Sequence, residues 1–153
     1  MDNTTQPANK PGGDAPPPRW VLKTYTKVNV FVYRLSGGRL MNKLAGIPIM
    51  LVKMTGAKSG KIKYVPLMYV PHEAGYVVVA SQGGAPKNPV WYNNLVKHPE
   101  VEITYAGVTK QLTARQVDDV EKAALWPTCV KHYPPYEDYQ QRTDRNIPVF
   151  VCE

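Results

Sequence analysis

Six short runs rich in Val, Ile, Leu, Met or Tyr decide what this chain can fold into: Ile47 to Thr55, Lys61 to Val70, Tyr76 to Ser81, Val101 to Tyr105, Lys110 to Val117 and Ile147 to Cys152. β-Branched and aromatic side chains suit a pleated, half-buried surface. Gly-bearing turns separate several of the runs, which favours antiparallel neighbours in a meander, with a hairpin around Gly107. No strand-helix-strand unit recurs, so a doubly wound parallel sheet is excluded. The runs therefore predict an α+β or mainly β barrel of six antiparallel strands with helices at its periphery. At 153 residues there is room for one core and none for a second catalytic domain.

Between and before the strands the apolar spacing changes to three and four residues. From Arg19 to Leu35, Trp20, Val21, Leu22, Tyr25, Val28, Phe31, Val32 and Leu35 fall on one face, with Arg19, Lys23, Lys27 and Arg34 elsewhere. This is the pattern of a basic amphipathic helix, ended by Ser36-Gly-Gly. Two roles fit it: covering one side of the barrel, or docking on an anionic membrane surface. Asn88-Pro89 predicts an N-cap and first turn for a short helix through Trp91, Tyr92, Leu95 and Val96, closed by His98-Pro99. Asp118-Asp119 predicts another helix running toward His132. Residues 1–18 hold many prolines and almost no large apolar side chain, which predicts a disordered tail ahead of a single domain over 19–153.

A net charge of +7 and a pI near 9.4 predict a surface that attracts anions. No nucleic-acid recognition motif accompanies the charge, so nucleic acid is set aside as a partner. No charged segment with a following apolar core begins the chain, and no stretch reaches the roughly 20 apolar residues of a membrane span. A cytoplasmic protein is expected, with peripheral contact at the inner face of the membrane through 19–35 as the alternative. Cys129 and Cys152 lack a companion at CxxC spacing and His72, His98 and His132 are scattered. Reduced thiols and no metal site follow.

Three segments could carry chemistry. Thr55-Gly-Ala-Lys-Ser-Gly-Lys-Ile-Lys63 is a turn that displays Lys58, Lys61 and Lys63 beside glycine amides. It departs from the nucleotide phosphate loop, having three residues between its glycines and Ile62 after its lysine. It reads either as an anion clamp or as a solvated hairpin tip. Ala80-Ser-Gln-Gly-Gly-Ala-Pro-Lys-Asn-Pro89 lies where a strand gives way to a helix, and its glycines allow close backbone approach. Tyr133-Pro-Pro-Tyr-Glu-Asp-Tyr139 sets three tyrosines at three-residue intervals, suited to a flat aromatic substrate or to ordinary helix packing. No hydrolytic triad or catalytic carboxylate pair is present, so an enzyme of this sequence needs a cofactor.

Taken in order, Ile47-Pro48, Thr55-Gly-Ala-Lys-Ser-Gly, Pro66-Leu67, Val79-Ala-Ser-Gln-Gly-Gly, Lys87-Asn-Pro-Val-Trp-Tyr-Asn-Asn-Leu95, His98-Pro99, Leu112-Thr-Ala-Arg115, Tyr133 to Tyr139 and Thr143-Asp-Arg-Asn-Ile-Pro148 resemble the deazaflavin-dependent nitroreductases of mycobacteria and their relatives. The resemblance runs from about Trp20 to the C-terminus. It implies a split β-barrel of the FMN-binding kind that holds coenzyme F-420, an 8-hydroxy-5-deazaflavin with a phosphodiester and an oligoglutamate tail. In the family, the turn matching Lys58, Ser59, Lys61 and Lys63 meets the phosphate and glutamates. Segments matching Val65-Pro66, Val79, Ala80, Ser81, Gln82 and Gly83, and Val90, Trp91 and Asn94, surround the deazaflavin. Positions matching Met68, Ser81, Tyr133, Tyr136 and Tyr139 line the acceptor pocket. Lys63 stands where arginine can occur, keeping the charge but losing the bidentate fork. Gln82 and Met68 stand where the nitroimidazole-activating member has lysine and tyrosine.

The function so implied is a hydride transfer from the reduced deazaflavin to a quinone, an enone or another activated acceptor, nitroaromatics included. Ser81, Tyr133 and Tyr136 are the candidates for positioning the acceptor or donating a proton, with Tyr136 also against the coenzyme. A deazaflavin storage protein and an FMN- or haem-binding split barrel are the competing readings.

Overall fold

The computed structural model describes Lys43, Leu44 and residues 46–153. The tail expected over 1–18 and the amphipathic helix expected over 19–35 lie outside the described residues.

The six runs all form strands. β2 (Ile47–Thr55), β3 (Ile62–Met68), β5 (Gly75–Val79), β6 (Glu100–Tyr105), β7 (Val108–Gln116) and β8 (Val149–Cys152) are joined by two strands of two residues, β1 (Lys43–Leu44) and β4 (Pro71–His72). A two-residue strand leaves no alternation to detect, which is why the expected six become eight. Every pairing is antiparallel, and the order is β1-β2-β6-β7-β8-β5-β4 with β3 also on β2. No described pairing joins β3 or β1 to β4, so among the described residues the expected barrel is an open ladder, mainly antiparallel sheet with a few helices. β3 pairs with β2 alone, and this edge position accommodates Pro66, which lacks an amide hydrogen.

β7 is the hinge of the architecture. Val108 to Thr113 pair with β6, and Ala114 to Gln116 pair with β8. One long strand thus links a β3-β2-β6 half to a β8-β5-β4 half. The β6–β7 turn consists of Ala106 and Gly107, both at positive φ (49° and 85°), the requirement of a tight two-residue hairpin.

Every residue of β5 and β8 is buried, and alternate residues go to two separate cores. Tyr76, Val78, Phe150 and Cys152 pack with Met50, Val52 and Met54 of β2. Val77, Val79, Val149 and Val151 pack instead with Leu125, Cys129 and Tyr136. Those last three come from α2 (Asp119–His132) and α3 (Pro135–Gln141), which therefore cover the outer face of β5 and β8. Burial on both faces explains why these strands read as continuous apolar runs rather than alternating ones. At about 1.5–3 kcal/mol for each large apolar side chain buried, the two cores dominate the favourable side of folding.

α2 begins where expected, with the Asp118 carboxylate accepting the Glu121 amide at 2.8 Å. It ends at Tyr133, and Pro134-Pro135 starts α3 with proline in its first turn. The third helix, α1 (Tyr92–Lys97), begins later than expected. Asn88 is not its cap. Its side-chain oxygen is taken by Arg145, and Pro89 to Trp91 form a turn in which the Tyr92 amide donates to the Pro89 carbonyl at 3.0 Å.

Candidate functional site

The lysine turn between β2 and β3 is tied down at both ends. The Gly56 amide donates to the Lys61 carbonyl at 2.8 Å and the Gly60 amide to the Gly56 carbonyl at 3.0 Å. α1 holds the turn from outside: Asn94 Oδ1 accepts the Ala57 amide at 2.8 Å, and Lys97 Nζ donates to the Ala57 carbonyl at 2.8 Å. Asn94 is buried and also donates to the Met54 thioether. Besides lining the adjoining cleft, it is thus the strut that fixes the turn.

A cleft of about 880 Å³ opens between this turn and the Lys87 to Asn94 segment. Lys58, Ser59, Lys63 and Val65 line it from the β2–β3 side, and Lys87, Val90, Trp91 and Asn94 from the other. Lys61 is exposed and does not line it; its carbonyl closes the turn. Lys87 is a further cation of the cleft, one that its place between Pro86 and Asn88 in the sequence does not announce. Among the described residues no carboxylate lines the cleft, and none of Lys58, Lys63 and Lys87 is in an ion pair. Three positive charges without a described ion pair thus share one concave surface, a field that favours anions.

A second pocket of about 390 Å³ is lined by Pro66, Met68, Val79, Ser81, Gln82 and the three tyrosines 133, 136 and 139. Pro89, Val90 and Trp91 line both cavities, so the two meet along that short turn. Val90 is 87% exposed, an apolar side chain standing at the rim between them. Two expected contact residues lie elsewhere. Ala80 is fully buried with its methyl in the first core, and Gly83 lines neither cavity.

The tyrosines differ in their chemistry. Tyr133 and Tyr139 share a hydrogen bond between hydroxyls at 3.0 Å. Burial, then that bond, pushes the Tyr133 phenol up to about 12. Tyr136 is 4% exposed, packs edge-on against Tyr133, and among the described residues has no hydrogen-bond partner at its hydroxyl. Burial holds its pKa far above the usual phenol range, with the nearby Cys129 thiol adding to the shift. Ser81 is likewise buried, lines the pocket and has no described partner for its hydroxyl. A buried hydroxyl without a partner costs free energy unless something else meets it.

The Ser81 to Asn88 loop is held by a residue for which sequence suggested no role. Arg145 donates to the carbonyls of Ala80 at 3.1 Å, Ser81 at 2.9 Å and Ala85 at 3.0 and 3.2 Å, and to Asn88 Oδ1. Burial lowers its pKa.

The chain matches the model of the F420H(2)-dependent quinone reductase family over residues 25–153. It is 37% identical over 124 residues to an F420H(2)-dependent quinone reductase of Mycobacterium tuberculosis strain H37Rv, covering 78% of this chain and 83% of that relative. A putative F420H(2)-dependent quinone reductase of the same strain is 34% identical over 105 residues, covering 69% of this chain and 88% of the relative. Among solved structures, one of an F420-H2 dependent reductase is similar with a TM-score of 0.66 and 47% identity, over 69% of this chain and 94% of that chain. The haem storage protein HutZ of Vibrio cholerae is similar in fold alone, at a TM-score of 0.52 and 12% identity over 84% of this chain and 89% of that one.

Proposed function

The chain belongs to the F420H(2)-dependent quinone reductase family, and from that premise we propose that it transfers a hydride from reduced coenzyme F420 to a quinone across the junction of its two cavities. The observation that carries the reading is the meeting of a cationic cleft and a tyrosine-lined pocket along Pro89 to Trp91. A coenzyme with a flat ring at one end and an acidic tail at the other has the same polarity.

The residues present fit that group. Lys58, Lys63 and Lys87, with the backbone of the turn that Asn94 fixes, would hold phosphate and carboxylates. Val65, Pro66, Val90 and Trp91 offer apolar surface to a ring at the junction. When bound, the reduced coenzyme supplies a hydride from its deazaflavin carbon. Tyr133, Tyr136 and Met68 shape the space for a flat acceptor, and proximity and orientation provide most of the rate.

A quinone that gains a hydride becomes an oxyanion at one oxygen and must then gain a proton. Tyr136, held protonated by burial, suits donation of a hydrogen bond to that oxyanion and not release of its own proton. The proton then comes from solvent, and Ser81 is the second donor to the same oxygen. Enones and nitroaromatics are further acceptors for this pocket. Contact of the 19–35 segment with an anionic membrane surface belongs to the same reading; no described helix is long and apolar enough to cross a membrane. Liposome sedimentation before and after deletion of residues 1–35 tests that contact, and equal binding by both forms removes the segment from it.

The deciding experiment follows absorbance of the reduced coenzyme in the presence of menadione, then of enones and nitro compounds. Oxidation well above the enzyme-free rate is expected with the quinone. Tight coenzyme binding with no such oxidation would make the protein a carrier instead.

A further inference from the structure

Three consecutive residues after Ser81 have positive φ: Gln82 at 45°, Gly83 at 65° and Gly84 at 76°. Glutamine has no preference for this region, and a side chain there persists only where its surroundings enforce it. One enforcing contact is with α3. Gly84 approaches it so closely that a Cβ would lie 2.6 Å from the Tyr139 carbonyl oxygen. The other is Arg145. Its guanidinium donates to the carbonyl of Ser81 and twice to that of Ala85, the two residues that flank the arch, and to Ala80 and Asn88 beyond them.

All these acceptors are neutral, and Arg145 is in no ion pair among the described residues. A half-buried guanidinium committed to carbonyls gives little in charge pairing. What it gives is a rigid planar fork that spans two strands of a loop, a task a lysine cannot share. Arg145 is itself held: its carbonyl accepts from Gln140 Nε2 at 2.8 Å and its amide donates to Thr143 Oγ1 at 3.2 Å. Gln140 Oε1 in turn accepts from Lys122 Nζ and the Ile147 amide.

We infer that Arg145 is a positioning residue for hydride transfer: it staples the 81–85 arch and, through Asn88, the Pro89 to Trp91 divider, so that Ser81 and Gln82 present fixed groups to the acceptor. The inference rests on the hydride-transfer reading of the pocket. It goes beyond that reading in assigning alignment to a residue that lines neither cavity.

The test is Arg145→Lys, alone and combined with Ser81→Ala, assayed with reduced F420 and menadione. A loss of alignment by about an ångström costs up to roughly 100-fold in rate, so kcat falls between 10- and 100-fold while the coenzyme Kd, set by the distant lysine turn, changes less than about 3-fold. Ser81→Ala lowers kcat in the wild-type background and adds almost nothing in the Arg145→Lys background, because residues acting as a unit are not additive. Hydrogen exchange of the free protein gives a readout independent of turnover. The Gly84 amide, bonded to the Ser81 carbonyl at 3.0 Å, and the Ala85 amide, bonded to the Gln82 carbonyl at 3.2 Å, exchange faster in Arg145→Lys, while those of β2 and β5 do not. Should Arg145→Lys fail to fold, Asn88→Ala, which removes one partner and leaves the arginine in place, carries the kcat and exchange measurements at saturating coenzyme, since Asn88 itself lines the cleft. An unchanged kcat, independent costs of the two substitutions, or faster exchange throughout the sheet overturns the inference. A wild-type chain that does not oxidise the reduced coenzyme overturns the proposed function, and the exchange pattern then still decides the staple.

Discussion

Replacing Lys58, Lys63 and Lys87 by alanine, singly and together, should weaken coenzyme binding without slowing the chemistry. A hydrogen bond to a charged partner is worth about 1.5–3 kcal/mol when sheltered, and an exposed ion pair about 0.2–1 kcal/mol. Lys58, Lys63 and Lys87 are exposed but line a concave surface that holds no carboxylate among the described residues, so about 1 kcal/mol each is the reasonable middle. At 1.4 kcal/mol per decade, each single substitution raises Kd about 5-fold, and the triple variant raises it about 100-fold if the sites add. The assay is quenching of deazaflavin fluorescence by the protein at two ionic strengths. The Debye length shrinks from about 30 Å at 0.01 M to about 8 Å at 0.15 M, so wild-type affinity falls with salt and the triple variant loses most of that slope. kcat at saturating coenzyme stays unchanged, because the tail makes the same contacts in ground and transition states. A triple variant that binds within about 3-fold of wild type at low salt refutes the anion-clamp reasoning and returns the turn to a solvated hairpin.

Tyr136→Phe should lower kcat about 10- to 100-fold with quinones, by removal of a donor to the developing oxyanion, while thermal unfolding shows no loss of stability, since no described residue bonds its hydroxyl. A large fall in melting temperature with kcat intact would give Tyr136 a packing role. Gly84→Ala places a Cβ 2.6 Å from the Tyr139 carbonyl at a φ of 76° and should cost at least about 1–2 kcal/mol in denaturant unfolding; no change in midpoint would mean that the arch relaxes freely. Burial pushes the Cys129 thiol up to about 11 and Cys152 up to about 12, from an ordinary 9.0. Folded-state values above unfolded ones mean stability that is complete below pH 9 and is lost as pH rises through 9 to 12, where the unfolded chain releases protons that the folded one retains. Melting temperature should therefore fall with alkalinity across that window, less steeply in Cys129→Ala, and equal slopes in the two proteins would contradict the assignment.

Local pattern determined a good deal here. The six main strands, the start of α2 at Asp118, the double proline between α2 and α3 and the lysine turn all depend on side chains acting on backbone a few residues away, so they were legible in the sequence. The two-residue strands β1 and β4 were not, because they carry no period, and neither was the open order of the ladder, which depends on β7 exchanging one partner for another between Thr113 and Ala114. The site shows the same division. Residue types at Lys58, Ser81 and Tyr136 announced a chemistry, but only packing showed that Lys61 does not line the cleft, that Lys87 does, and that the two cavities meet at Pro89 to Trp91. Asn88 is the sharpest case: by local rules it caps a helix, yet its side chain bonds Arg145, 57 positions away in the chain, and the helix starts at Tyr92. Sequence determines preferences worth fractions of a kcal/mol per residue. The tertiary structure decides among them because a half-buried guanidinium fills its hydrogen bonds from whatever acceptors packing brings within reach, and five such bonds outweigh one local cap.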